Sequence, residues 1–306
     1  MKLVDDFLKY MRYELNLSAC TVSAYRQDLK QLQQFLSPDE EDFDPISVTT
    51  NDLRAWVVDL DTHGIKARSI RRKEQAARAF FRFLVKRGLV KANPAAELEL
   101  AKFKKPLPSY VRVEVMDELL DSDVDETDFK AVRDRLIVMM LYETGIRRAE
   151  LIGLKDVDVD VAKQELKVLG KRNKERVVPF GRELADAIEA YRRLRMETTG
   201  LERPERFFVR ENGDELYASL VYKVVHDRLA AAGSGRKLSP HVLRHTFASA
   251  MLNNGAELNS VKELLGHESL AATQVYTHIT FSELKTNYKH AHPRALKKEV
   301  HYGSKD

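Results

Sequence analysis

SPHVLRHTFASAMLNNGAELNSVKELLGH, residues 239–267, decides how the C-terminal half of this chain is read. Ser239-Pro240 offers a side-chain oxygen at an N-cap, then the one residue whose missing N–H costs nothing at the first helical position, so a helix is predicted to start there. His241, Arg244 and His245 are spaced i, i+3, i+4, which places two imidazoles and a guanidinium on one face. Leu243, Phe247 and Ala250 point the other way and should pack. The helix should end near Asn253-Asn254-Gly255. A second apolar run, Leu258 to Leu265, stops at Gly266, where a left-handed residue is wanted.

His267 follows that stop, and nine residues later comes Tyr276-Thr277-His278. Singly, a tyrosine or a helical histidine is more often a structural residue than a chemical one. Together they are harder to set aside. Tyrosine has a pKa of about 10, so it becomes a nucleophile only beside a proton acceptor, and histidine is the natural one. Guanidinium groups grip phosphate oxygens bidentately and stabilise charge in the transition state, roughly 3 kcal/mol for each such donor. The set reads as phosphoryl transfer onto tyrosine.

His241-Val242-Leu243-Arg244, Leu265-Gly266-His267 and Tyr276-Thr277-His278 resemble the C-terminal motifs of the tyrosine recombinases, or phage integrase family. Upstream, Thr144-Gly145-Ile146-Arg147-Arg148-Ala149-Glu150-Leu151 is similar to that family's first arginine box. Gly170-Lys171-Arg172-Asn173-Lys174-Glu175-Arg176 is similar to its lysine-bearing hairpin. Six motif positions fall in the family's order across about 130 residues.

A chain of 306 residues, 43% hydrophobic and 32% charged, has room for two domains with real cores. The net charge of +4 decides nothing alone. A single cysteine, Cys20, excludes an internal disulfide framework and a cysteine-based zinc site. The longest strictly apolar run, Leu136 to Leu141, is too short to span a bilayer, and the charged N-terminus does not read as a signal peptide, so a cytoplasmic protein is expected.

The first hundred residues read as helical: Leu3 to Leu15, Thr21 to Leu36, Asn51 to Thr62 and Arg68 to Arg87. Charge is segregated within them. From Asp39 to Asp61 there are eight acids against one base, and from Lys66 to Lys91 ten bases against one acid. On the last helix Arg68, Arg71, Gln75, Arg78, Arg82 and Lys86 fall within about 80° of one another, with Arg72 beside them. Ile70, Ala77, Phe80, Phe81 and Leu84 should pack on the other side. A basic face is usually only solvated. An uninterrupted stripe without acids also suits a phosphate backbone.

Domain boundaries are expected at 1–101 and 111–306, joined by a proline- and lysine-bearing linker, 102–110; the resemblance implies that its Lys104 and Lys105 lie near DNA phosphates, and a plain tether is the alternative reading. Beyond it, Asp121 to Asp128 is an acidic loop, and Phe129 to Thr144 a helix apolar nearly all round in its second half. Glu150 stands three residues after Arg147 and could hold it. A surface pair of that kind is also common and worth little. Alternation over Glu165 to Leu169 and Arg176 to Pro179 predicts a hairpin with Lys171 at the turn. Lys171 is the better match to the motif, Lys174 is close enough to compete, and Arg172 stands where many relatives carry glycine. Gly181 to Glu197 and Leu216 to Ala232 read as helices, Phe207-Phe208-Val209 as an edge strand, and Phe281 to His290 as a short helix. His292-Pro293-Arg294-Ala295 then begins a polar tail that by default would fray.

The resemblance implies a mainly α fold in two domains, an N-terminal helical SAM-like domain that grips the core DNA site and a mixed α+β catalytic domain with a small antiparallel sheet. It implies Tyr276 as nucleophile, Arg147 and Arg244 as the phosphate clamp, His267 beside them, His241 handling the nucleophile's proton, Lys171 as general acid and Glu150 in support. No metal or other cofactor is implied. The tail is similar to that of the chromosomal Xer branch, which implies duplex DNA with a dif-like site, a homo- or hetero-tetramer with a second Xer-type recombinase, a terminal helix docked on a neighbouring protomer, a DNA translocase as a further partner, and no membrane. Rival readings are a mobile-element integrase, a type IB topoisomerase, a DNA-binding protein without catalysis, and, weakest, a zinc hydrolase built on His241 and His245, which lacks the glutamate of an HExxH site.

Overall fold

The structure is a computed structural model that describes residues 2–38, 43–99, 110–170, 174–233, 238–266 and 281–295, the side chains of residues 281 and 282 apart. The chain divides into two compact units, Met1–Pro106 and Leu107–Asp306. Of the expected linker, 102–110, only Tyr110 is among the described residues.

The first unit holds α1 (Lys2–Lys9), α2 (Ala19–Leu36), α3 (Thr50–Thr62) and α4 (Ala67–Lys86). The single helix expected over residues 3–15 instead passes at Tyr10–Glu14 into a wider π-helical turn, closed by Leu15 N donating to Tyr10 O at 3.0 Å. Side chains cap two starts. Ser18 Oγ accepts from Thr21 N (3.2 Å), and Thr49 and Asp52 form a reciprocal capping box. The apolar side of α4 packs as its periodicity predicts, with Ile70, Ala77, Phe80, Phe81 and Leu84 all buried beside Phe7, Leu32, Leu53 and Trp56. Phe7 meets Phe80 edge-on at 5.4 Å, a geometry that suits the ring quadrupoles. Asp28 of α2, fully buried, is neutralised by Arg72 and by Lys73 at 3.0 Å, both from α4.

The second unit is built around α6 (Phe129–Thr144), preceded by α5 (Val113–Asp121). Asp128 caps α6 through Lys130 N (2.8 Å) and Ala131 N (3.2 Å). From Leu136 to Tyr142 every side chain is buried, as expected of a helix apolar all round. After α7 (Arg148–Gly153) comes an antiparallel sheet in the order β1 (Val159–Asp160), β2 (Glu165–Leu169), β3 (Glu175–Pro179). Its register pairs Leu166 with Val178 and Val168 with Arg176, so one face carries Leu166, Val168 and Val178 into the core. The helices α8 (Arg182–Thr199), α9 (Ala218–Ala231), α10 (Pro240–Asn253), α11 (Leu258–Leu265) and α12 (Phe281–Ala291) complete the unit. The fold is the expected mainly α arrangement with one small sheet. No helix among the described residues is long and apolar enough to cross a membrane.

Two expectations are corrected. Phe207-Phe208-Val209 is core but not a strand: Phe207 N donates to Leu154 O (2.8 Å), Phe207 O accepts from buried Arg195 (2.8 Å), and Val209 N donates to Tyr191 OH (3.0 Å). Among the described residues only isolated bridges flank the stretch, Arg206 with Lys155 and Val209 with Glu215, and side chains take the Phe207 carbonyl and the Val209 N–H that a continuous strand would have paired. The stretch His292–Ala295 does not fray. Arg294 is only 3% exposed and is ion-paired with Asp117 (3.1 Å), Asp121 (2.9 Å) and Glu183 (2.5 Å) within its own unit, with Glu143 3.7 Å from its Nε.

Candidate active site

Helix ends assemble the candidate site. α6 stops at Gly145, whose φ of +61° is left-handed and whose missing side chain leaves room for Phe247: a Cβ there would lie 2.5 Å from Phe247 Cδ1 and 2.8 Å from Leu265 Cδ2. The chain turns at once into α7, with Arg147 at its N-cap. α10 begins at Pro240 after Ser239, although the Ser239 side chain makes no capping bond. α11 ends at Gly266, φ +64°.

Arg147 and Arg244 converge on the carbonyls at these ends. Arg244 Nη1 donates to Gly145 O (2.7 Å) and Nη2 to Leu265 O (2.6 Å), while Arg147 Nη2 donates to Gly266 O (2.8 Å). Arg147 Nη1 also donates to Glu150 Oε1 (2.7 Å), and its backbone N to Glu150 Oε2 (2.7 Å). Toward described residues each guanidinium thus uses two of its five N–H groups. The Arg147 side chain is 34% exposed, so the anion would approach from its side. Arg244 differs from the reading of a free helix face. It is only 8% exposed and turned inward, while His241 and His245 are exposed on the same helix.

A side chain without an assigned role proves central. Arg176 of β3 donates from Nη1 and Nη2 to Glu150 Oε1 and Oε2 (2.8 and 2.9 Å) and from Nε to Leu264 O (2.7 Å). Its signal in the sequence was only its place in the lysine hairpin motif. Burial works to raise the Glu150 pKa, but the hydrogen bonds and charges of Arg176 and Arg147 outweigh it, and the net shift is downward. Glu150 therefore stays ionised. Burial and then the charge of Arg147 bring Arg244 down to about 10, which leaves it cationic at neutral pH. Burial, followed by the positive charge of Arg148, His245, Arg244 and Arg147, lowers the pKa of His241, so its imidazole is neutral and able to accept a proton. One carboxylate faces three guanidiniums here, and the surplus positive charge suits a phosphodiester.

Lys171, His267 and Tyr276 lie outside the described residues. Lys174 is exposed at the hairpin, where its carbonyl accepts from Gly170 N at 2.8 Å. In the first unit, Arg68 and Arg82 are exposed and Arg71 is half-buried. Lys86 is exposed, with its ammonium 4.7 Å from the Tyr10 ring centre. Arg72 and Arg78 are turned onto the protein: Arg72 binds Asp28, and Arg78 donates to the carbonyls of Ala95 (3.0 Å), Ala96 (3.4 Å) and Leu98 (2.7 Å). Lys104 and Lys105 lie outside the described residues.

Comparison with known proteins fits this geometry. Residues 109–283 match the model of the phage integrase family, and residues 4–88 that of the phage integrase N-terminal SAM-like domain. The chain is 36% identical to the tyrosine recombinase XerC of Chlorobaculum tepidum, covering 95% of this chain and 94% of that protein. It is 38% identical to XerC of Oceanobacillus iheyensis, covering 95% and 96%. A solved XerH site-specific recombinase bound to palindromic difH substrate shares the fold, with a TM-score of 0.68 at 19% identity over 94% of this chain and 80% of that one.

Proposed function

This chain belongs to the phage integrase family of tyrosine recombinases, enzymes that cut and rejoin DNA, and on that premise we propose that it resolves chromosome dimers at a dif-like site. The observation that carries the chemistry is the convergence of Arg147 and Arg244 on the Gly145, Leu265 and Gly266 carbonyls. The resolution role is supported by relatives named XerC at 36% and 38% identity along nearly the whole chain.

In this reading the Tyr276 oxygen attacks the scissile phosphorus while its proton passes to neutral His241. The bond from phosphorus to the 5′-oxygen breaks, and that oxygen takes a proton from Lys171. The products are a 3′-phosphotyrosyl link and a free 5′-hydroxyl. Arg147 and Arg244 hold the non-bridging oxygens as charge builds on them, with His267 adding to that field. The phosphodiester is replaced by another phosphodiester, so rejoining to a different strand needs no external energy. Four protomers on two DNA sites complete an exchange, either four of this chain or two with a second Xer-type recombinase. The exposed Arg68 and Arg82 of α4 meet the DNA backbone outside the cut site.

The test is a nicked suicide substrate carrying a dif-like site, incubated in EDTA with wild type and Tyr276→Phe. A covalent 3′-linked complex with the wild type alone is expected. Adduct formation by Tyr276→Phe, or none by the wild type with a partner recombinase added, contradicts the reading.

A further inference from the structure

We propose that Arg176 is a positioning residue for DNA cleavage: its guanidinium fixes Glu150 and the end of α11 relative to one another, and so aims Arg147 at the phosphate. This rests on the recombinase reading of the site. Four hydrogen bonds end on Glu150, two from Arg147 and two from Arg176. A carboxylate offers about four acceptor positions, so all of them are taken. The third contact of Arg176, to Leu264 O, holds the last turn before Gly266, whose carbonyl receives Arg147 Nη2. One side chain therefore fixes both groups that orient the Arg147 guanidinium.

The Arg176 side chain is only 12% exposed, which places it behind the clamp rather than against substrate. Its seat is fitted closely. A Cβ on Gly266 would stand 3.2 Å from Arg176 Nη1 and 3.3 Å from its Cδ and Cζ, so Gly266 serves both the left-handed turn and the guanidinium packed on it. Without Arg176, two acceptor positions on Glu150 open. Arg147, already bonded to Glu150, is a donor able to fill them, and a two-pronged Arg147–Glu150 fork would rotate its N–H groups away from Gly266 and from the phosphate. Lysine cannot substitute, because a single ammonium does not reproduce a fork on a carboxylate plus a third bond to a carbonyl.

Two experiments test this, and the first separates it from a purely structural role. Single-turnover cleavage of the nicked dif-like substrate is measured for wild type, Arg176→Met and Arg176→Lys, with either an ordinary scissile phosphate or a methylphosphonate that lacks one non-bridging negative charge. DNA affinity should stay within about 2-fold, while cleavage of the phosphate falls roughly 10-fold to 100-fold for methionine and less for lysine. On the methylphosphonate the gap between wild type and variants should shrink, because a misaimed Arg147 has less charge to neutralise. Unchanged cleavage, or an equal loss on both substrates, overturns the proposal. A wild type that cleaves nothing would sink the recombinase reading instead. The second experiment tests, without DNA, the coupling that positioning requires: in urea unfolding, the midpoint shifts of Glu150→Gln and Arg176→Met should be strongly non-additive. Additive shifts overturn it.

Discussion

Two glutamates of the catalytic unit, Glu143 at the end of α6 and Glu150 in α7, are both buried next to arginines, and they end in opposite charge states. Glu150 accepts four hydrogen bonds, its pKa is lowered and it stays charged. Neither oxygen of Glu143 has a hydrogen-bond partner among the described residues, and Arg294 Nε lies 3.7 Å away. Burial, only partly offset by Arg294, pushes Glu143 up to about 8, so it holds its proton at neutral pH. Burial does not decide whether a buried carboxylate keeps its charge. The number of donors aimed at it does. The charged glutamate orients Arg147, which we propose grips the phosphate, whereas the protonated one lies where the His292–Ala295 stretch docks.

That contrast can be broken at several points. The largest effect is expected from Arg244→Ala, which removes a preorganised donor set: single-turnover cleavage should drop about 100-fold to 1,000-fold, with DNA affinity much less affected. A drop below 10-fold would mean that the inward-turned Arg244 serves packing alone.

Next is Arg294→Met. It strands the carboxylates of Asp117, Asp121 and Glu183 around an apolar side chain. Breaking a buried ion pair by removing one partner costs about 3–5 kcal/mol, readable by urea denaturation. A loss under about 1 kcal/mol would place the site among exposed pairs.

Titration sharpens the same contrast. The folded Glu143 holds its proton up to about 8, while the unfolded side chain releases it near the ordinary carboxylate value of about 4.3. Its contribution to stability is therefore complete below about pH 4.3 and is lost as pH rises toward 8. Glu143→Gln should flatten the alkaline decline in melting temperature, and an unchanged decline would refute the protonated state. His292 acts on the other side. It stacks on Tyr288 at 5.2 Å, and burial pushes it down to about 3. Its contribution is present above its unfolded value near 6.5 and is lost as pH falls toward 3. His292→Phe should soften the acid decline.

The smallest effect concerns the first unit. Replacing exposed Arg68 and Arg82 with alanine should flatten the log–log salt dependence of DNA binding by up to roughly 0.9 per lost phosphate contact. Arg78, held by three carbonyls, should alter stability more than slope.

What the sequence revealed follows from the range of the interactions. Helix stops at Gly145 and Gly266, the Pro240 start, the inward face of α4 and the Arg147–Glu150 pairing all rest on residues within a turn or two of each other. Periodicity and backbone chemistry express such contacts directly. Arg176 reaches Glu150 across 26 positions and Leu264 across 88, and the Arg294–Asp117 contact spans 177. No local pattern encodes those separations. Phe207-Phe208-Val209 departs from the expected strand for a related reason: an apolar run states that it is buried but not what satisfies its backbone, and here the Leu154 carbonyl, Arg195 and Tyr191 share that role. Arg244 shares a helical face with two exposed histidines, yet its longer side chain reaches back to carbonyls on two other elements.

The most direct measurement is single-turnover formation of the covalent DNA adduct by Glu150→Gln and Glu143→Gln, side by side with wild type at pH 7. Loss of the Glu150 charge should release Arg147 and Arg176 and slow the reaction by roughly 100-fold, while Glu143→Gln, which replaces one neutral group by another, should stay within about 2-fold of wild type. Equal rates for the two variants, or the greater loss at Glu143, would contradict the account.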